Sequence, residues 1–237
     1  MSVANTVMLP ALLNILGTLR EQGLPMGELL NAAGLRPSVF DPIDFDARIP
    51  TSAVLAVYDY AARALDDPAV SIRIAEGQKP EHLSVVGFVI ATAATGVEAI
   101  TRAARYARVA FDYGVDWQVF EEDDVIRISF PTSPTTLAER IATEVGVAAF
   151  LHYFRTMGRQ DVVPNNVVFS HAAPADARAH KAFFRGSIRW GAGVPGFAFD
   201  AAYAERMVLP KADRSMNQFF ERYADDLLEQ MQRGTTA

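Results

Sequence analysis

The chain has 237 residues, of which 50% are hydrophobic and 21% are charged, and its formal net charge is -6. This length allows one large domain or two small ones, and the absence of cysteine excludes disulfides, thiolate catalysis and cysteine metal sites. The acidic balance and the lack of basic runs disfavour direct DNA binding, because phosphate neutralisation supplies most of the affinity in such complexes.

The first half of the chain is predicted to be helical. Thr95 and Glu98 have the spacing of a capping box, in which both side chains satisfy backbone N–H groups at a helix start. The longest apolar run, 85–94, is far shorter than the roughly 20 residues that a membrane helix needs. The N-terminus lacks the basic start of a signal peptide, so we expect a cytoplasmic protein that does not contact a membrane. The predicted helices cover residues 25–33, 50–65, 85–94 and 97–111.

The second half is predicted to combine strands and helices. Apolar and polar residues alternate at 115–119 and at 126–130, around an acidic turn at 121–124, which is typical of a β-hairpin with one exposed face. Residues 134–158 have helical spacing, and 145–154 is apolar on nearly every side, which predicts a helix buried in the core. Strands at 166–170, 187–190 and 196–199 and an amphipathic helix at 215–232 follow. The predicted fold class is α+β, with an N-terminal helical part and a small, mostly antiparallel sheet, β-β-α-β-α-β-β, packed on the buried helix.

No motif for catalysis or metal binding stands out. The four histidines lack the close spacing of metal ligands, and there is no Gly-x-Ser-x-Gly elbow for a serine hydrolase. The glycines of 191–196 lie between predicted strands, whereas a phosphate loop needs a following helix N-terminus. We therefore expect neither an enzyme nor a bound metal or cofactor. His152 interrupts the apolar helix, either as a hydrogen-bonded boundary residue or as a polar anchor in a small-molecule cavity.

The stretch 163–210 resembles part of a known family. An apolar strand leads into His-Ala-Ala-Pro, a short helix ends in Phe-Phe-Arg-Gly, and a glycine-rich turn precedes the strand Phe-Ala-Phe-Asp and Leu209-Pro210. In this order, the stretch resembles the end of the N-terminal regulatory domain of AraC-type bacterial transcription regulators. Four more segments extend the resemblance over about 24–228: residues 47–50, 65–68 with 72–75, 86–89 and 95–100.

The resemblance implies an effector-binding and dimerising domain of a transcription regulator. Residues 1–210 would form the regulatory domain, with a helical part at 1–113 and a sheet-containing part at 114–210. Residues 211–237 would form a linker helix towards a C-terminal helix-turn-helix domain that is missing from this sequence. The implied partners are an unidentified small molecule, a second copy of the chain, and DNA only through that missing domain. A small molecule that binds one arrangement of the domain better would bias the attached DNA-binding domains.

We expect the effector pocket between the buried helix 137–157, the helix 97–111 and the sheet. Such pockets are mostly apolar with a few polar anchors, and an arginine would pair with an acidic effector group. The residues predicted to bind the ligand are Phe88, Tyr106, Arg108, Trp117, His152, Arg155 and Trp190. The alternatives are a stand-alone small-molecule sensor, a haem or gas sensor with His82 or His152 as axial ligand, and an enzyme with clustered ionisable groups.

Overall fold

Helices make up most of this computed structural model, which describes residues 5–39, 41–112 and 117–235. The α-helices are α1 (Leu9–Glu21), α2 (Met26–Ala32), α3 (Thr51–Leu65), α4 (Val70–Gly77), α5 (Val85–Ala91), α6 (Gly96–Ala110), α7 (Leu137–Gly158), α8 (Arg178–Phe184), α9 (Ala201–Arg206) and α10 (Arg214–Thr235). The strands are β1 (Thr6–Met8), β2 (Arg48–Pro50), β3 (Phe111–Asp112), β4 (Gln118–Glu122), β5 (Val125–Ser129), β6 (Asn166–Val168), β7 (Ser187–Arg189) and β8 (Gly196–Asp200). The predicted α+β class is confirmed.

The larger sheet has five strands in the order β4-β5-β8-β6-β7. Its neighbours are antiparallel, except that β6 and β7 run parallel. Phe197 of β8 lies opposite Ile128 of β5 on one side and Val167 of β6 on the other. With α7 and α8 between the strands, the chain order is β-β-α-β-α-β-β, as the sequence predicted. Part of the predicted strand at 115–119 falls on residues 113–116, which lie outside the described residues.

A second sheet and the helix that follows its first strand were not predicted from the sequence. β1 lies between β2 and β3, and Val7 faces both Ile49 and Phe111. These strands have two or three residues each, which is too short for an alternating pattern to be recognised. α1 begins directly after β1, with Pro10 in its first turn, where a missing N–H costs nothing.

Capping residues determine where the two site-forming helices begin. At the start of α6, the Thr95 hydroxyl accepts a hydrogen bond from the backbone N–H of Glu98 at 3.2 Å, as the spacing predicted. At the start of α7, Thr136 and Glu139 form a complete capping box. These caps satisfy backbone N–H groups that would otherwise lack partners at the start of each helix.

α7 connects two hydrophobic clusters. One cluster surrounds the five-stranded sheet and includes Phe150 and Phe154 of α7, whose rings pack against Phe197 and Phe199 of β8. The other cluster surrounds α1, α2 and α3 and includes Val145 of α7. The prediction that this helix is buried in the core is therefore confirmed. In the described part of the chain, no helix combines the length and the hydropathy needed to cross a bilayer.

Candidate functional site

A cavity of about 420 Å³ lies between α1, α3, α5, α6 and α7, next to the loop that follows β5. This volume is within the range of small-molecule pockets. Its wall is mainly apolar, and the helices contribute small side chains where core helices commonly carry leucine. α6 contributes Ala99, Ile100, Ala103, Ala107 and Ala110. The alanines leave the space that larger side chains would fill.

α7 forms the opposite part of the wall. Its contribution includes Ala142, Gly146 and Ala149, followed by Phe150 and Tyr153. A Cβ atom placed on Gly146 would meet no atom within 4 Å, so this glycine adds to the free volume. The lining residues come from both hydrophobic clusters. The cavity therefore lies at the boundary between the two clusters.

Two polar side chains in the cavity wall have atoms without hydrogen-bond partners. Gln78, at the end of α4, is 6% exposed, and its Oε1 accepts a hydrogen bond from Asn14 Nδ2 at 2.8 Å. Its Nε2 makes no hydrogen bond to any described residue, and neither does Thr51 Oγ1. Both residues line the cavity. Because a buried polar atom without a partner is costly, these two atoms are candidate contacts for a bound molecule.

One end of the cavity is open to solvent and carries a carboxylate. Pro131 and Ser133 are exposed there, and Glu139 lies beside them in the wall. The backbone N–H groups of Thr135 and Thr136 lower the pKa of Glu139 from its ordinary 4.5 to about 2. Glu139 is the one charged residue among the described residues of the wall.

A second buried polar cluster lies away from the cavity, around Glu144 of α7. His180 Nε2 is 2.9 Å from Glu144 Oε2, the Ser71 hydroxyl donates to the same oxygen, and His171 Nε2 is 3.5 Å from Oε1. Ser71 has no solvent exposure and bonds directly to the carboxylate, so it is not placed as the nucleophile of a catalytic triad. Within the described ranges, no group of three or more His, Asp or Glu side chains is arranged to hold a metal ion. Sequence spacing carried no signal for this cluster, because its members come from four separate segments.

Of the seven residues predicted to bind a ligand, Trp117 lines the cavity. Its ring makes edge contacts with Phe130 and Phe150, at centroid distances of 5.0 and 5.4 Å. The other six lie outside the described wall, and ligand binding by these residues stays a prediction. Both helices of the predicted pocket, α6 and α7, contribute residues to the cavity wall.

Three of the other six residues lie on the side of α5 and α6. The Phe88 ring stacks on Phe220 of α10 at 5.1 Å. Tyr106 is buried and donates its hydroxyl hydrogen to Asp225 Oδ1 at 3.0 Å, and burial raises the pKa of the Tyr106 phenol. Arg108 is half exposed and pairs with the carboxylate four residues later.

The remaining three lie on the far side of α7 and of the sheet. His152 is half-buried, and burial, with a smaller effect of Arg155, lowers its pKa. Arg155 donates hydrogen bonds to the backbone carbonyl oxygens of Val162 and Phe183 at 2.8 and 2.9 Å, and burial lowers its pKa to about 10. Trp190 packs among the aromatic rings around the Glu144 cluster. In the described structure these contacts give Arg155 a role in supporting the backbone and Trp190 a role in aromatic packing.

Charged and polar side chains join α6 to α10. Arg102 Nε donates to Glu221 at 2.7 Å, Arg105 donates to Asp225 at 2.8 Å, and Tyr106 donates to the same carboxylate. Several charges in one network hold a geometry better than an isolated surface pair does. We call these five residues the α6–α10 network. Because α6 also lines the cavity, one helix touches both the cavity and α10.

A solved structure and a family model both resemble this chain. The crystal structure of the transcriptional regulator CdpR from Pseudomonas aeruginosa has a TM-score of 0.60 and 14% sequence identity, over 85% of this chain and 64% of that chain. At this identity the likeness shows the fold alone, and the present chain spans less than two thirds of the length of CdpR. No curated protein matches the sequence. The family model described as the arabinose-binding domain of AraC transcription regulators, N-terminal, matches residues 23–208 and confirms the family predicted from the sequence. The chain therefore belongs to the family of N-terminal arabinose-binding domains of AraC transcription regulators and has a ligand-binding, regulatory role.

Proposed function

We propose that the cavity binds a small-molecule effector and that α6 passes the effect of binding to α10. The observation that carries this proposal is the double role of α6. Five of its residues line the cavity, and three others, Arg102, Arg105 and Tyr106, hold α10. A molecule that changes the position of α6 would therefore change the position of α10 as well.

The proposed mechanism is a population shift. A ligand shifts an equilibrium only by the difference between its affinities for the two arrangements. In this chain the two arrangements would differ in how α6 and α10 pack. The ion pairs of the α6–α10 network are partly exposed, so water can replace their hydrogen bonds when the two helices move apart. In the whole regulator, residues 1–210 would form the sensing domain, and 211–237 would link it to a DNA-binding domain. The greater length of CdpR, itself a transcriptional regulator, supports this arrangement.

The proposal includes a homodimer formed through α10. Met216, Phe219 and Tyr223 are spaced three and four residues apart, and their side chains are 44%, 56% and 39% exposed. Exposed apolar side chains on one helix face are typical of an interaction surface. We expect Phe219→Glu to lower the association constant, measured by sedimentation equilibrium. The matched control is Phe120→Glu on the hairpin, where the ring is 51% exposed. Equal association in both variants would contradict a dimer through α10.

Ligand binding in the cavity is tested first with benzene, a small probe that enters apolar cavities. We expect benzene to raise the unfolding midpoint of the wild-type chain. Gly146→Leu should abolish that rise, because the new side chain occupies the cavity. Gly17→Leu is the control, since Gly17 is also a helix glycine with no atom within 4 Å of an added Cβ but does not line the described wall. A benzene effect that survives in Gly146→Leu would contradict the proposed site.

Coupling to α10 is tested by amide hydrogen exchange. We expect benzene to slow exchange of α10 amides in the wild-type chain, because a filled cavity restrains α6. Glu221→Gln removes the negative charge that pairs with Arg102 and should weaken this response without changing benzene affinity. Glu229→Gln is the control, because Glu229 pairs with Arg233 within α10 itself. An unchanged α10 response in Glu221→Gln would contradict transmission through the network.

A further inference from the structure

We infer that the effector is an uncharged carbonyl compound with an apolar body, and that its carbonyl oxygen accepts a hydrogen bond from Gln78. This inference rests on the proposed effector cavity and specifies the chemical class of its ligand. Four observations support it: the apolar wall, the absence of a basic group in its described part, the hydrogen bonds that Glu139 already accepts, and the hydrogen bonding of Gln78.

The wall disfavours an anionic ligand. Its described residues include no lysine, arginine or histidine. An anion entering this cavity would lose its hydration without gaining a counter-charge, and an isolated buried ion is far more costly than a buried neutral polar group. The one charged group, the Glu139 carboxylate, would add repulsion at the open end.

One oxygen of the same carboxylate is already occupied by hydrogen bonds and is poorly placed to bind a cation. Glu139 Oε2 already accepts hydrogen bonds from the backbone N–H of Thr135, from the Thr135 hydroxyl and from the backbone N–H of Thr136, at 2.7, 2.8 and 2.9 Å. These bonds belong to the cap that starts α7, so a ligand that recruited this oxygen would compete with the helix start. The arrangement therefore favours a ligand without formal charge.

Gln78 specifies the polar group of the ligand. Asn14 Nδ2 donates to Gln78 Oε1, and this bond fixes the amide so that Nε2, which only donates, is the end without a partner. Thr51 Oγ1, the other polar atom of the wall without a partner, can also donate. The Gln78 amide nitrogen therefore needs an acceptor on the ligand, and the carbonyl oxygen of a ketone, ester or lactone supplies one.

The rest of the wall suits an apolar body. The alanines of α6 and the rings of Phe150 and Phe154 line it, and burial of apolar surface against them supplies non-directional affinity. A cavity of about 420 Å³ lies at the small end of ligand pockets. We therefore expect a medium-length chain or a small ring system attached to the carbonyl.

The first experiment compares three eight-carbon probes that differ in charge: 2-octanone, octanoate and octylammonium. Their dissociation constants for the 237-residue chain are measured by tryptophan fluorescence, since Trp117 lies in the cavity wall. We expect 2-octanone to bind at least tenfold more tightly than either ion. This comparison uses the wild-type chain and does not depend on the folding of any variant.

The second experiment tests the role of Gln78. Gln78→Leu should weaken 2-octanone binding about fivefold, the ratio that corresponds to one net hydrogen bond. It should not weaken the binding of octane, which has no acceptor. Gln22→Leu is the matched control, because Gln22 Oε1 is also buried without a partner among the described residues, but Gln22 does not belong to the described wall. It should leave both affinities unchanged.

The outcomes separate this inference from the proposed function. If octanoate or octylammonium binds as tightly as 2-octanone, and Gly146→Leu abolishes that binding, the ligand class is overturned and the effector cavity stands. An unchanged affinity for 2-octanone in Gln78→Leu overturns the role of Gln78. If no probe binds, both the ligand class and the effector cavity are overturned.

Discussion

His180 Nε2 lies 2.9 Å from Glu144 Oε2, and both side chains are buried in the protein interior. The Ser71 hydroxyl donates to the same carboxylate, and His171 approaches its other oxygen. These residues come from α4, α7, α8 and the segment after β6. A single carboxylate therefore connects the helical half of the chain to the sheet.

Removal of this carboxylate should strongly destabilise the fold. We expect Glu144→Ala to lower the free energy of unfolding by about 3 kcal/mol, because three buried polar groups lose their common partner. Glu144→Gln keeps one oxygen acceptor and should cost roughly 1 to 2 kcal/mol. Urea denaturation measures both values. Glu229→Ala, at an exposed i,i+4 pair, is the control and should stay within about 0.5 kcal/mol. A similar loss in Glu144→Ala and the control would contradict the role of the cluster.

Alanine substitution at two helix glycines should have opposite effects. Gly146→Ala adds a methyl group to the cavity without a close contact and should stabilise the chain by up to about 1 kcal/mol, through helix propensity. Gly96→Ala would bring a Cβ to 2.8 Å from the backbone oxygen of Ala204 and should cost about 1 to 3 kcal/mol. Thermal unfolding gives the sign of each change. Destabilisation in Gly146→Ala would contradict the free space at this position.

The buried hydroxyl of Tyr106 should contribute more to stability than the more exposed hydroxyl of Tyr223. Both donate to a carboxylate, Tyr106 to Asp225 and Tyr223 to Asp46. Tyr106→Phe should lower the free energy of unfolding by about 1 kcal/mol. Tyr223→Phe should change it by less than about 0.5 kcal/mol. Parallel urea titrations compare the two variants, and a larger effect at Tyr223 would count against the α6–α10 network.

The capping box of α7 should make stability depend on pH. Backbone N–H groups hold the pKa of Glu139 at about 2, below its ordinary 4.5, so the folded state favours the ionised form. This contribution is fully present above pH 4.5 and is lost as the pH falls towards 2. The stability difference between the wild-type chain and Glu139→Gln should be constant from pH 5 to 7 and shrink below pH 4.5. A difference that stays constant down to pH 2 would contradict the lowered pKa.

Local sequence signals predicted those elements whose determinants lie close together in the chain. The spacing of Thr95 and Glu98 predicted the start of α6. The alternation of apolar and polar residues around the acidic turn predicted the hairpin of β4 and β5. β1 pairs with residues at least 40 positions away, and its three residues carry no local pattern. Contacts of that kind follow from tertiary packing and could not be predicted from spacing.

The sequence indicated two of the helices that line the cavity, whereas six of the seven side chains that it singled out lie outside the described wall. Periodicity shows that α7 is apolar nearly all round, yet it does not show which face borders free volume. His152 and Arg155 are polar residues of that helix and were predicted to bind the ligand. The cavity is instead bordered by Gly146 and Ala149, which lie on another face of the helix. Free volume arises from small residues on facing helices. Gln78 carried no sequence signal at all, because its importance comes from an amide nitrogen without a partner.

The position of the cavity between the two hydrophobic clusters has a consequence for how the chain unfolds. Both clusters contribute to its wall, and Phe111 packs against both. A molecule bound at this boundary would contact both clusters and make their melting more interdependent. We therefore expect ligand occupancy to change the cooperativity of unfolding as well as its midpoint. In calorimetry, the ratio of van't Hoff to calorimetric enthalpy should move towards unity when the cavity is filled.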